Sequence, residues 1–302
     1  METAKTKSVQ AATIAVLGAG VLWGTSCLFV RRMSALGMTS TMQTAFKMML
    51  TGAFYWILIA LTDRSKFKIR LRDIWMFAAA GCFSMGVYTW LHYYVLIHGQ
   101  ASVTTALIYT SPIFVMLLSA VVFREKITGI KVMAVLLAVA GCALTAGILS
   151  ETYRTPLLIA AGSILAGFCY STYSIFAKLA TRKYDSLTMT AYAFLFGAVL
   201  TVPFGHVPEA LHLMKLHPQL ALLAVGKSAL TSAAPYFLYT WGISRIEAGR
   251  AAIFATMEPL VSCTLGIIVF QEPANAAKVV GILLILISVI MVNFRFSRQK
   301  SG

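Results

Sequence analysis

The sequence predicts an all-α integral membrane protein with ten transmembrane helices, arranged as two inverted repeats of five helices. Of its 302 residues, 59% are hydrophobic and only 12% are charged, whereas a soluble domain carries about 25% charged residues. The apolar residues fall into runs of roughly 20, the length that crosses a bilayer as a helix. In addition, the stretch 104–126 returns as 251–273 at a constant offset of 147 positions, which indicates two related halves.

Each apolar run is bounded by short polar segments, so neighbouring spans are expected to form antiparallel hairpins. The predicted spans are 11–30, 40–61, 74–95, 101–123, 131–149, 156–177, 186–204, 219–241, 249–270 and 276–294. The first run is of full spanning length and is followed by Arg31 and Arg32, which favours a first helix over a cleavable signal. All five cysteines lie inside apolar runs and none forms a CxxC. They are therefore expected to pack as small residues, without disulfides or a metal site.

The internal repeat covers both halves of the chain, predicted as 1–151 and 152–302. Because five spans is an odd number, the second half must enter the membrane from the opposite side, which gives an inverted repeat. Equivalent pairs at the 147-residue offset include Pro112 and Pro259, Glu125 and Glu272, Gly20 and Gly167, Thr25 and Thr172, and Arg31 and Lys178.

The positive charges predict the orientation of the chain. With both termini in the cytoplasm, 18 Lys and Arg residues fall in cytoplasmic segments and 5 in external segments. Cytoplasmic loops carry such an excess of Lys and Arg. The net charge of +15 is therefore explained by topology, because a nucleic-acid-binding protein would gather its charge in one patch.

Three stretches resemble EamA-type proteins of the drug/metabolite transporter superfamily. They are GAGVLWGTSCLFVRR at 18–32, TALIYTSPIFVMLLSAVVFREK at 105–126, and the C-terminal stretch that begins TSAAPYFLYTWGISRIEAGRAAIFATMEP at Thr231. The resemblance spans nearly the whole chain. It implies ten helices, with the last helix of each half peripheral and the others lining a central cavity. Lys227 departs from the family pattern, which has apolar or small residues there.

Glu258 is the only acidic residue well inside a predicted span. At 1.5 Å per residue it lies about 13 Å from the cytoplasmic end of span 9, where a carboxylate costs about 2.5–3.5 kcal/mol. Two interpretations are open: a carboxylate that couples protons or binds a cation, or a neutral, hydrogen-bonded acid between helices. Pro259 follows it and, like Pro112, removes a backbone donor, so these prolines are the predicted hinges.

Lys47 and Lys227 lie at a similar depth, about 12 Å from the external ends of spans 2 and 8. Together they favour a site for an anion or carboxylate, with one lysine paired to Glu258. The alternative is that each lysine snorkels or stays neutral on a cavity wall. Gln43 and Ser111 are the smaller polar candidates, and Ser111 takes the place of Glu258 in the first half.

An aromatic set accompanies these groups. Aromatic rings can stack on a flat solute or enclose an ammonium group, but packing between helices is favoured for most of them. The set comprises Trp23, Trp90, His92, Tyr93, Tyr109, Tyr170, Tyr173, Tyr236 and Tyr239.

Two further patterns are interpreted structurally. The external loop that holds His206, His212 and His217 lacks the spacing of a zinc motif and predicts a short interfacial helix. The glycines at Gly18, Gly20 and Gly24 lie within a span. No GK[ST] motif follows them, so they predict close helix packing and not a phosphate loop.

The resemblance implies a secondary active transporter in the cell membrane that works by alternating access. Its expected partners are the bilayer, a small organic solute such as an amino acid, and protons; export is favoured by family habit. A nucleotide-sugar or sugar-phosphate exchanger and a non-transporting membrane sensor are the alternatives. No catalytic, metal or cofactor motif is found, so an enzyme is not expected. The chain is compatible with a monomer or a homodimer.

Overall fold

A computed structural model describes residues 2–98, 101–148, 156–271 and 273–298, and this part of the chain contains helices and turns but no strand. Eight of its helices are long and apolar enough to cross a membrane, and two further apolar helices are shorter. In chain order they are α1 (Ser8–Ala35), α2 (Ser40–Thr62), α3 (Leu71–His92), α4 (Thr104–Phe123), α5 (Gly129–Thr145), α6 (Leu157–Ala180), α7 (Ser186–Phe204), α8 (Gln219–Ile243), α9 (Ala248–Phe270) and α10 (Ala276–Val292).

Each of the ten predicted spans overlaps one of these helices. The first helix is longer than the apolar run because it runs from Glu2 to Gly24 and then from Ser26 to Ala35. A helix follows its backbone hydrogen bonds and can extend past the apolar boundary. The fifth helix ends early, at Thr145, and is followed by Gly147 in a left-handed conformation with φ of 85°. The predicted loop helix is present as Val207–Leu216.

The two halves share backbone details at the repeat offset. Helix α4 ends at Arg124 with φ of 55°, and α9 ends at the equivalent Gln271 with φ of 54°. A backbone N–H at each of these ends is bonded to an equivalent carbonyl, Ser119 in the first half and Gly266 in the second. Such left-handed residues satisfy carbonyls at a helix end. The backbone conformation at these two helix ends therefore follows the repeat seen in the sequence. Glu272 and the predicted boundary at 151–152 lie outside the described residues.

Besides α1, four of the long helices are interrupted, in two pairs at equivalent positions of the repeat. Helix α4 is broken at residues 109–110 and α9 at Thr256, each one turn before a proline. Pro112 and Pro259 cannot donate to the carbonyl four residues earlier, so these turns lose a hydrogen bond. Helices α3 and α8 each contain a π-helical stretch, Ala79–Val87 and Ala229–Ala233, at matching positions of the repeat.

The packing crosses between the halves. Helix α1 packs on α8 and α9 of the second half, while α6 packs on α3 and α4 of the first. Helices α5 and α10 pack along each other, and a Cβ added at Gly141 would lie 2.7 Å from the Gly281 carbonyl oxygen. Small residues permit such close approach of apolar helices. The interior between α1–α4 and α6–α9 is where the sequence-predicted polar residues meet.

Candidate functional site

Glu258 lies just after the interruption of α9, beside Pro259. The Tyr170 hydroxyl from α6 donates to Glu258 Oε2 over 3.5 Å, and the Tyr109 hydroxyl from the break in α4 is a second donor. The carboxylate thus joins α9 to helices α4 and α6. Its side chain is half-buried.

Lys47 of α2 is the cation whose charge acts on Glu258. Its Nζ lies 5.9 Å from the centre of the Tyr236 ring, within the range of a cation–π contact. The Lys47 side chain is half-buried as well. The interior therefore holds a carboxylate and an ammonium group close to the same aromatic residues.

Lys227 of α8 has a different immediate partner. Its Nζ donates to Gln43 Oε1 over 2.9 Å, and the Gln43 amide in turn donates to Ser34 Oγ over 2.9 Å and to the Met38 carbonyl over 3.2 Å. The lysine is buried, with 8% of its surface exposed. A buried charge needs such a hydrogen-bonded setting. Lys227 is thus anchored through Gln43, while the charge of Lys47 acts on it.

Most of the predicted aromatic residues gather around these charges. The Trp23 and Tyr236 rings meet edge-on at 5.1 Å, and Tyr173 meets Tyr236 at 5.2 Å. On the other side, Tyr88 packs at 5.2 Å on Tyr170 and at 5.4 Å on His92. These spacings are those of favourable aromatic pairs.

The rings enclose a narrow cavity of about 30 Å³. Trp23, Tyr170, Tyr173, Tyr236 and the buried Ser111 line it. Sites for small organic ligands usually have volumes of about 300–1,000 Å³. A metabolite would therefore need the surrounding helices to move apart before it could enter.

Trp90, a predicted site residue, lies apart from this cluster, and the side chain of Tyr93 lies outside the described part of the structure. The Trp90 side chain is 37% exposed and its ring packs edge-on against Phe204 at 5.1 Å. That position is typical of a residue on the outer surface of a helical bundle in a membrane.

Several polar residues of the interior were not predicted from the sequence. Ser84 and Thr172 hydroxyls lie 2.7 Å apart, and Ser174 lies 2.6 Å from the Tyr239 hydroxyl. Ser84, Tyr88 and His92 are spaced by four, so they share a helix face. Their spacing from His92, a predicted site residue, was the feature of the sequence that could have indicated Ser84 and Tyr88 as residues of the site.

Two glycines of α1 bring it against α9 beside the site. A Cβ added at Gly24 would lie 2.8 Å from the Glu258 carbonyl oxygen and 2.6 Å from Val261 Cβ; at Gly20 it would lie 2.9 Å from Met257 Cβ. At Gly18 it would meet nothing within 4 Å. The predicted close packing therefore applies to Gly20 and Gly24, while Gly18 faces open space.

An ion-pair network joins the end of α4, the end of α6 and the start of α9. Glu125, just after α4, is 2.6 Å from Lys178 Nζ and accepts the Ala248 and Gly249 N–H groups over 2.9 and 3.3 Å. Burial favours a higher pKa for Glu125, but Lys178 and the two N–H groups outweigh it and lower the pKa. The ionised carboxylate therefore holds α4, α6 and the start of α9 together.

The repeat reproduces part of this arrangement at the opposite end. Lys178 Nζ lies 5.3 Å from the centre of the Phe123 ring. Its equivalent, Arg31, lies 4.0 Å from the centre of the Phe270 ring, and Phe270 is the equivalent of Phe123. The two ends of the bundle are thus built from corresponding residues.

Comparison with known proteins finds relatives along nearly the whole chain. An uncharacterized transporter of Archaeoglobus fulgidus is 26% identical over 243 residues, which cover 80% of this chain and 84% of the relative. The uncharacterized transporter YoaV of Bacillus subtilis is 24% identical over 82% of this chain and 86% of its own length. An uncharacterized transporter of Clostridium kluyveri is 21% identical over 95% of this chain and 94% of its own.

A protein of known crystal structure shares the fold, with a TM-score of 0.79 over 96% of this chain and 99% of that protein at 17% identity. The model of the EamA-like transporter family matches twice, at residues 10–147 and 157–294. The chain is a multi-pass membrane protein, and in bacteria and archaea such proteins lie in the plasma membrane. Because these two matches together cover almost all of its residues, the chain belongs to the EamA-like transporter family.

Proposed function

We propose that this transporter is a secondary active carrier of a small zwitterionic metabolite, such as an amino acid, and that it catalyses no chemical reaction. The observation that supports this proposal is the placement of Glu258 and Lys47 in one aromatic-lined interior. Glu258 would accept the ammonium group of the solute, and Lys47 its carboxylate. The surrounding rings supply apolar contact for the rest of the molecule.

The proposed mechanism is alternating access between inverted halves. Transporters with inverted repeats bind solute near the midplane and move one repeat against the other. The interruptions at residues 109–110 and at Thr256 supply matching flexible points in the two halves, next to the proposed hinges Pro112 and Pro259. Opening there would widen the narrow cavity on one side at a time.

We further propose that protons drive the cycle and that the physiological direction is export. Glu258 is the acidic residue within the described part of α9, and two tyrosine hydroxyls hold it. A carboxylate that binds either a proton or the ammonium group of the solute would couple the two movements. The tyrosine hydroxyls can donate to it when it is ionised.

The first experiment is uptake into proteoliposomes that contain the purified protein. A panel of labelled amino acids, amines, sugar phosphates and nucleotides would be tested with and without an imposed pH gradient. We expect a zwitterionic compound to accumulate only when the gradient is present. Accumulation that is indifferent to the gradient would contradict proton coupling, and binding without any movement would instead support a sensor of the same fold.

An exchanger of phosphorylated compounds is the second candidate. Lys47 and Lys227 lie close enough for their charges to act on each other, and such a pair suits a phosphate group. An ionised Glu258 disfavours phosphate binding, because it adds a negative charge to the same interior. Counter-exchange of sugar phosphates without pH dependence would favour this candidate over the first.

The proposed orientation, with both termini in the cytoplasm, makes a separate prediction. Ser65, in the exposed loop after α2, and Glu209, exposed on the loop helix, should lie on opposite sides of the membrane. We expect Ser65→Cys to react with an impermeant maleimide only after the cell is opened, and Glu209→Cys to react in intact cells. The unmodified chain, with its five native cysteines, gives the background. The reverse labelling pattern would overturn the orientation.

A further inference from the structure

A second cavity lies at the end of the bundle, away from the aromatic interior. Its volume is about 320 Å³, roughly ten times that of the aromatic cavity. Four cationic and two acidic side chains contribute to its wall. They are Lys178, Arg182, Arg245, Arg250, Glu125 and Glu247.

The acidic groups of this end cavity are already engaged. Glu125 is bound by Lys178 and two backbone N–H groups. Glu247 lies 2.9 Å from Lys131 Nζ, and Lys131 lies outside the cavity wall. Four cations against two carboxylates leave the wall with an excess of positive charge.

The guanidinium groups are held in place by aromatic rings. Arg182 lies 4.8 Å from the centre of the Phe123 ring, and Arg245 lies 4.0 Å from the centre of the Trp241 ring. Arg245 also donates to the Trp241 carbonyl over 2.8 Å, four residues before it, which fixes it at the end of α8. Both arginine side chains are exposed. A preorganised guanidinium suits planar, two-pronged recognition of phosphate oxygens.

The cavity lies where the apolar helices meet the polar loops. Arg182 and Arg245 follow directly after α6 and α8, and Glu247 directly precedes α9. These positions mark the boundary between apolar helix and polar loop, which is the depth of lipid phosphates. Basic pockets between membrane helices bind the phosphate groups of lipids.

We propose that this end cavity binds a phosphate group, carried by an anionic lipid headgroup or by a soluble phosphate ester. Arg182 and Arg245 contact the phosphate oxygens, and the buried Arg250 adds to the positive potential behind them. The site is distinct from the aromatic interior around Glu258. Its occupant would hold together the ends of α4, α6, α8 and α9.

The test measures the thermal stability of the purified full-length protein in a neutral detergent at constant ionic strength. Three probes are titrated: short-chain phosphatidylglycerol, short-chain phosphatidylcholine and glycerol 3-phosphate. A ligand of the folded state raises the melting temperature as its concentration rises. We expect phosphatidylglycerol to stabilise the protein and phosphatidylcholine to have little effect. Stabilisation by glycerol 3-phosphate as well would identify the phosphate ester as sufficient, whereas its absence would assign the site to the lipid.

Matched variants locate the effect. Arg245→Gln is compared with Arg64→Gln, because Arg64 also follows an apolar helix and donates to the carbonyl four residues earlier, Ala60, over 3.2 Å, but lies outside the cavity. We expect Arg245→Gln and Arg182→Gln each to raise the half-saturating concentration roughly tenfold, because each removes one charge-assisted contact. Arg64→Gln should leave the half-saturating concentration unchanged. No stabilisation of the wild type by any anionic probe would overturn the proposal. An equal loss in Arg64→Gln would also do so, because it would show only general attraction to positive charge.

Discussion

Glu258→Gln is expected to abolish accumulation of solute driven by a pH gradient, while exchange of solute across the membrane continues with a raised half-saturating concentration, because the amide oxygen can accept from the ammonium group of the solute but carries no negative charge. Glutamine keeps the shape of the side chain and can still accept from the Tyr170 hydroxyl, which lies 3.5 Å from Oε2 in the native protein. It cannot release a proton. The bundle should therefore fold and move, but the movement would no longer be tied to proton flow.

The measurement compares gradient-driven uptake and counter-exchange in the same proteoliposomes. Glu209→Gln serves as the control, since it removes a carboxylate from the exposed loop helix and should leave both activities at the wild-type level. Undiminished gradient-driven accumulation by Glu258→Gln would rule out this role for the carboxylate. A loss of both activities, in a protein that still elutes from a size-exclusion column like the wild type, would instead show that an amide cannot replace the carboxylate in binding the ammonium group of the solute.

Gly24→Ala is expected to impair transport strongly, whereas Gly18→Ala should have little effect. At Gly24 the added methyl group would come within 2.8 Å of the Glu258 carbonyl oxygen and 2.6 Å of Val261 Cβ, so α1 and α9 must separate next to the site. Overpacking of this kind costs about 1–3 kcal/mol. At Gly18 the methyl group meets nothing within 4 Å, and replacement of a helical glycine by alanine is favourable by about 0.5–1 kcal/mol.

Thermal unfolding in detergent and initial transport rates would both be recorded for the two variants. We expect a lower melting temperature and at least a severalfold slower rate for Gly24→Ala alone. Equal behaviour of the two variants would show that the contact between α1 and α9 does not limit stability or transport. A loss of rate without a loss of stability would indicate that α1 and α9 must slide past each other during the cycle.

The fold was predictable because a bilayer leaves the backbone few choices. Every polar backbone group within it must be bonded internally, so each apolar run of spanning length becomes a helix. The interruptions in α4 and α9 were also predictable from the sequence, because Pro112 and Pro259 lack the backbone N–H donor that a continuous helix needs. The π-helical stretch Ala79–Val87 contains no proline, and its sequence gave no comparable indication.

The candidate site was predictable only in part. Glu258, Lys47 and Lys227 stand out because ionisable residues within apolar spans are rare and costly. Their partners depend on how distant segments pack, as when Lys227 reaches Gln43 across 184 positions of sequence. The position of Trp90 also depends on packing that the sequence does not show. A tryptophan suits a binding site, but the packing of α3 places this ring against Phe204.

The crossed packing of α1 has a consequence for biosynthesis. This helix emerges from the ribosome before α8 and α9, yet it packs on both of them. At synthesis rates of about 5–20 residues per second, the interval between Ala35 and Gln219 takes roughly 10–40 s. During that time the face that holds Gly20 and Gly24 lacks its native partner, α9. A chain that stops before α8 is therefore left with an unassembled first helix, which makes it a substrate for membrane quality control.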